Sequence, residues 1–186
     1  MAATRVERYL AHLDKLTGGM EPQFLPIDST HPGLPKVHAI TYVDLPEPGF
    51  VTALTYGLSL ADHPEWRLSK PELCISVQST EVAWGFAAGF LAERLRGECP
   101  FRYGDTVDLG EPVTPGSDLS AFLVFAPIGM DREDYLDIDV GDDKPITISG
   151  FYPIHESERT YIRENGLASF WELDWDPYDT RRPPVA

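Results

Sequence analysis

The sequence predicts an α+β domain, and three observations lead there. Segments with apolar residues at every second position dominate the middle of the chain. Helical periodicity is confined to a few blocks, at the start, at 81–96 and at 157–165. The strand segments come in runs rather than alternating regularly with helices, which disfavours a doubly wound βαβ arrangement. The 186 residues fit one domain, and 42% hydrophobic with 11% aromatic residues is enough to build a core.

Thr4-Arg5-Val6-Glu7 has the spacing of a capping box, with Thr4 at the N-cap and Glu7 reaching back to it. Val6, Leu10, Leu13 and Leu16 follow at helical spacing, and Gly18-Gly19 ends the run. Residues 20–35 are rich in proline and turn formers and are expected to form an ordered loop. Residues 36–45 and 50–59 are expected to pair as a hairpin across Pro46-Glu47-Pro48-Gly49. In the strand at 72–79, Leu73, Ile75 and Val77 point one way, while Glu72, Cys74, Ser76 and Gln78 point the other. Residues 81–96 form a second helix with Val82, Phe86, Phe90 and Leu95 on a broad apolar face. Gly85 and Gly89, four residues apart, allow it to approach the sheet closely. Short strands follow at 105–109 and 119–126. Residues 135–140 and 146–151 are expected to pair around Gly141-Asp142-Asp143. A helix over 157–165 stops at Gly166, an apolar segment covers 168–175, and 176–186 is expected to fray or lie on the surface.

The formal charge of −15 and pI near 4.5 leave no basic footprint for a nucleic acid backbone. They suit a basic protein partner instead. The opening MAATRVERYL is charged rather than apolar, and no run approaches the roughly 18–20 apolar residues of a membrane span. The two cysteines, Cys74 and Cys99, read as reduced thiols of a cytoplasmic protein.

The chemistry-bearing candidates are few. Residues 51–64, VTALTYGLSLADHP, run as a strand into a bend holding Ser59, Asp62 and His63. Gly57-Leu58-Ser59-Leu60-Ala61 approximates the G-x-S-x-G turn of serine hydrolases. Such a turn needs a helix directly after the serine and a downstream histidine, and Asp62-His63-Pro64 interrupts the first while only His155 offers the second. The five histidines show no metal-ligand spacing. Asp137–Asp142 partly matches a calcium loop, yet the closing glutamate position holds Ile148. No catalytic residue, cofactor or metal is therefore assigned. Acidic clustering remains. Asp131, Glu133, Asp134, Asp137, Asp139, Asp142 and Asp143 face one Arg132, and Glu172, Asp174, Asp176 and Asp179 are interleaved with Trp171, Trp175 and Tyr178. Aromatic anchors beside charges are what protein interfaces use.

The order of these motifs resembles the Suppressor-of-fused-like family from about residue 36 to 172. It runs through Thr55-Tyr56-Gly57-Leu58-Ser59, Pro71-Glu72-Leu73-Cys74-Ile75, the helix centred on Trp84, and Phe101-Arg102-Tyr103-Gly104-Asp105-Thr106-Val107. It closes in Ile146–Arg159 (ITISGFYPIHESER) and Glu164-Asn165-Gly166. The resemblance implies a mixed sheet with flanking helices and a binding protein without enzymatic activity. Animal members hold Gli-type transcription factors, and short stand-alone bacterial members resemble immunity proteins of polymorphic toxin systems. A single domain over 36–175, with residues 1–35 packed on it and 176–186 as a surface tail, suits the bacterial type. The family's Gly-Leu/Met-Ser-Asp becomes Gly57-Leu58-Ser59-Leu60 here, with the acid two positions later at Asp62. The expected function is neutralisation of a cognate, basic toxin by a monomer or weak dimer. The partner-binding candidates are Asp62, Asp131, Glu133, Asp134, Asp137, Asp139, Asp142, Asp143, Trp171, Asp174 and Trp175. An adaptor that takes a peptide by strand addition, and a hydrolase using Ser59, are the alternatives.

Overall fold

The computed structural model describes all residues, 1–186. In chain order, α1 (Arg5–Thr17) precedes β1 (Gln23–Ile27), β2 (Val37–Val43), β3 (Val51–Tyr56) and β4 (Lys70–Val77). Helix α2 (Ala83–Leu95) leads to β5 (Thr106–Asp108) and β6 (Ala121–Phe125). A short α3 (Arg132–Tyr135), β7 (Ile146–Ile154), α4 (Glu156–Asn165) and α5 (Leu167–Trp171) complete the chain. The strands form one seven-stranded sheet in the order β1-β2-β3-β4-β7-β6-β5. All neighbours are antiparallel except β4 and β7, which run parallel, so the sheet is mixed.

The period-2 pattern assigns the two faces. Ala53, Leu73, Ile75, Val77, Phe122, Val124 and Phe151 join the largest core cluster, beneath α2. Close approach there depends on missing side chains. A Cβ on Gly85 would lie 2.7 Å from Ala53 Cβ and from Thr41 Oγ1, and one on Gly89 would lie 3.1 Å from Ile27 Cγ1. The opposite face is covered in two halves. Tyr9 and Leu13 of α1 pack on Ile40, Leu54, Cys74 and Ile148, while Ile162 of α4 and Phe170 of α5 pack on Ala121, Leu123, Tyr152 and Ile154.

Local signals hold where they are strong. The Thr4 hydroxyl accepts the Glu7 N–H, Glu7 accepts from Thr4 N, and Gly18 closes α1 at φ 67°. The β2–β3 hairpin pairs His38–Val43 with Val51–Tyr56. Three expectations are corrected. The face that α2 buries carries Trp84, Ala87, Ala88, Leu91 and Ala92, whereas Phe86 of the expected face is 47% exposed. Residues 20–35 contain β1, whose Pro26 reads as a strand breaker. It is tolerated because β1 is an edge strand paired only with β2. Residues 135–140 do not form a strand. The chain turns there into α3, capped by Asp131, and only an Ile138–Ile146 bridge to β7 remains. Of the two outcomes expected after 176, the chain lies on the surface and is pinned there. Asp179 bridges to Gln78, and the side chains of Thr180 and Arg182 are buried.

Candidate functional site

The bend after β3 is a structural node, not a reactive centre. Gly57 sits at φ 125°, and a Cβ there would lie 2.9 Å from Val37 Cα. This sharp exit delivers Leu58–Leu60 as one 3-10 turn against β4. There the buried Glu72 carboxylate accepts four hydrogen bonds, from Gly57 N (2.8 Å), Ser59 N (3.0 Å), Ser59 Oγ (2.6 Å) and Thr55 Oγ1 (2.5 Å). Burial holds the Glu72 carboxyl above its ordinary range, and those four donors offset only part of the rise. Ser59 is 1% exposed, and its oxygen also accepts from Arg5 Nη2 at 2.8 Å. The histidines a hydrolase would need are committed elsewhere. His63 Nδ1 accepts from Glu65 N. His155 Nε2 donates to the Arg182 carbonyl while the other side of its ring caps α4.

The acidic stretch lies along α1 and runs antiparallel to it. His12 Nε2 donates to the Asp134 carbonyl at 2.6 Å, Arg8 lies 3.5 Å from Asp139, and Arg5 pairs with Asp142 at 2.6 Å. Arg5 and Arg8 thus offset part of the acidic charge, while His12 meets only a backbone carbonyl. Asp131 and Asp134 cap α3. Glu133, Asp137 and Asp143 are exposed and take part in no ion pair. The fold adds Asp62 to this group. Asp62, Asp142 and Asp143 share a cleft with Lys70 and Lys144, and Lys70 holds the Asp62 carboxyl below its usual range through a 2.7 Å contact.

Trp171 and Trp175 sit in the other half of this face, under α5 and the chain after it. Their rings are 5.4 Å apart, and Trp171 lies 4.5 Å from Phe125, while Trp175 lies 4.8 Å from Phe170 and beneath the Arg182 guanidinium at 4.9 Å. Both are half-buried, and Asp174 between them is exposed. They are held apart from the acidic stretch by a groove of about 250 Å³. Its floor includes the small residues Thr52, Cys74, Ser76 and Gly150 beside Leu54, at the margin of the area that α1 covers. Asp134 borders it on the acidic side, and Tyr152, in edge contact with both tryptophans, borders it on the other.

Sequence reasoning did not find Glu72, the groove, or the buried Glu158–Arg182 pair that ties the C-terminal residues to α4. An acid inside an apolar strand, Pro71-Glu72-Leu73-Cys74-Ile75, was the available signal for the first. The second was written in the run of small residues on the Cys74 face.

A family model for Suppressor of fused protein (SUFU) matches residues 33–183. No curated protein matches the chain. Among solved structures, a SUFU homologue from Neisseria gonorrhoeae FA 1090 is similar at TM-score 0.72 and 18% identity, over 96% of this chain and 95% of that one. Drosophila Suppressor of Fused is similar at TM-score 0.66 and 12% identity; 95% of this chain is covered but only 50% of that chain. A chain of the Sufu–Fu complex is similar at TM-score 0.59 and 14% identity, over 98% and 92% of the two chains. The mixed sheet with its flanking helices is thus the fold of those structures, and the chain belongs to the Suppressor of fused family.

Proposed function

We propose that this protein is a non-enzymatic binding domain that holds a basic protein partner, and that the partner is a cognate toxin which it neutralises. The observation that carries the proposal is the exposed acidic band on one face, from Asp131 to Asp143 with Asp62 beside it. Its Glu133, Asp137 and Asp143 are exposed and enter no ion pair, with Lys70 and Lys144 in the cleft beside Asp143. In a chain of net charge −15, such a band speeds encounter with a basic surface and sets its orientation. The Sufu–Fu complex offers a protein assembly built on a similar fold. Neutralisation then follows from occlusion of the toxin's working surface, in a cytoplasmic compartment where the domain acts as a monomer or weak dimer.

Co-purification with the product of an adjacent gene tests this. A complex that survives moderate salt is expected, and the triple charge reversal Glu133→Lys, Asp137→Lys and Asp143→Lys is expected to weaken it by about tenfold or more, mainly through the association rate. Absence of any complex with neighbouring effectors overturns the toxin assignment. The adaptor reading draws on the free edge of β1, where Phe24 is half-exposed. That edge is five residues long and includes Pro26, a poor template for an added strand. Under that reading, the triple charge reversal leaves binding intact and a substitution of Phe24 removes it.

A further inference from the structure

Charge alone brings two proteins together without anchoring them, and tight interfaces place most of their affinity in a few apolar side chains seated in pockets. The groove between α1 and α5 is a place beside the acidic band where such a side chain fits. The sheet beneath it carries mostly small side chains, with Leu54 beside them. Thr52, Cys74, Ser76 and Gly150 form its floor, and the Tyr152 ring folds back so far over Gly150 that a Cβ there would lie 2.7 Å from it. Its size selects the class of occupant. An apolar cavity of about 150 Å³ accommodates benzene, whereas small-molecule pockets begin near 300 Å³. At about 250 Å³ the groove suits one aromatic or long aliphatic side chain and is small for a cofactor.

Two further features fix the chemistry. Ile128, 44% exposed, stands at the mouth, a large apolar residue facing solvent beside an apolar opening. The acidic band starts at the same rim. Met130 and Asp134 line the groove, and Asp131 and Glu133 are their neighbours in sequence. A side chain entering the groove therefore has its flanking residues over carboxylates.

We propose that this groove receives an aromatic anchor residue of the partner, with basic residues flanking it in the partner chain. The inference rests on the acidic-face reading above and adds the pocket that confers affinity. Its test is titration of the intact, ¹⁵N-labelled protein with three capped peptides, Gly-Arg-Trp-Arg-Gly, Gly-Arg-Ala-Arg-Gly and Gly-Glu-Trp-Glu-Gly, followed by amide shifts. The first is expected to move Thr17, Ile128 and Gly150 saturably. The second is expected to move only the acidic band, and to bind about tenfold more weakly or worse. Ser76→Leu, which fills the floor, is expected to abolish the tryptophan-dependent shifts. Ile128→Arg, at the exposed rim, serves the same purpose without touching the core. Equal shifts from the Trp and Ala peptides, confined to Glu133, Asp137 and Asp143, overturn the groove proposal and leave the acidic-face reading standing. Groove shifts of equal strength from the Glu-flanked peptide overturn the requirement for basic flanks. Silence with all three peptides overturns the anchor proposal, and co-purification then judges the acidic face separately.

Discussion

Two carboxylates, Glu72 and Glu158, are fully buried in this protein, and they are kept there in opposite ways. Glu72 faces neutral donors: two backbone N–H groups and two hydroxyls, all from the end of β3 and the turn after it. Its cations stand one layer out, with Arg5 on Ser59 Oγ and Arg96 on the Gly57 carbonyl. Glu158 meets its cation directly. Arg182 Nη1 and Nη2 each bond a different carboxylate oxygen, and the backbone N–H groups of His155 and Val185 complete the shell. Burial raises the Glu158 carboxyl, but the Arg182 contact and those N–H donors outweigh it and hold the group below its usual range. The first arrangement stitches a bend to the next strand; the second fastens the end of the chain to α4. A buried acid can thus be satisfied by dipoles or by an ion, and the two cases respond differently to the same substitution.

The largest effect is expected from Glu158→Gln, which leaves the Arg182 guanidinium buried beside a neutral amide. A loss of about 3 kcal/mol or more in urea unfolding is expected, with the C-terminal residues becoming protease-sensitive. Glu72→Gln is expected to cost about 1 kcal/mol, because an amide oxygen still accepts the Gly57 and Ser59 N–H groups. Equal losses in the two variants would show that Glu72 is held by Arg5 and Arg96 rather than by its nearest donors.

Acid sharpens the contrast. A depressed carboxyl such as Glu158 contributes stability that is present above its unfolded pKa of about 4.3 and lost as pH falls through the lower folded value. The stability difference between the native protein and Glu158→Gln should therefore shrink from pH 5 toward pH 3. A raised carboxyl such as Glu72 contributes stability that is present below its unfolded pKa and lost as pH rises through the folded value. The corresponding difference for Glu72→Gln should move the opposite way, over a window that runs upward from about pH 4.3, so chemical denaturation from about pH 3 to neutral reads both.

Ser59→Ala removes one of the four donors to Glu72 and is expected to cost about 1 kcal/mol while leaving partner binding unchanged. Loss of function in a folded Ser59→Ala protein would revive the hydrolase alternative. The smallest effect on stability belongs to reversal of Glu133, Asp137 and Asp143, which are exposed and unpaired. A melting temperature unchanged beside weakened partner binding would separate the acidic face from both carboxylate nodes.

What the sequence determined by itself is whatever a few consecutive residues decide. The capping box at Thr4 and Glu7, the stop at Gly18, the alternation through 72–77, and the paired glycines on the sheet side of α2 all act within one or two turns or along one strand. Each could be read before the fold was known. The acidic and aromatic segments were also legible as composition, although not their placement on two sides of one groove.

The tertiary structure decided what depends on pairing between distant segments. Pro26 belongs to a strand only because β1 lies at the sheet edge. The stretch at 135–140 loses its strand where the chain turns into α3, and only the Ile138–Ile146 bridge to β7 remains. The parallel register that sets Cys74 beside Gly150 empties the groove floor, and the path of the chain beside α1 neutralises Asp139 and Asp142 but leaves Asp137 and Asp143 free. Burial and counter-charge are properties of neighbours in space, and a sequence lists only neighbours along the chain.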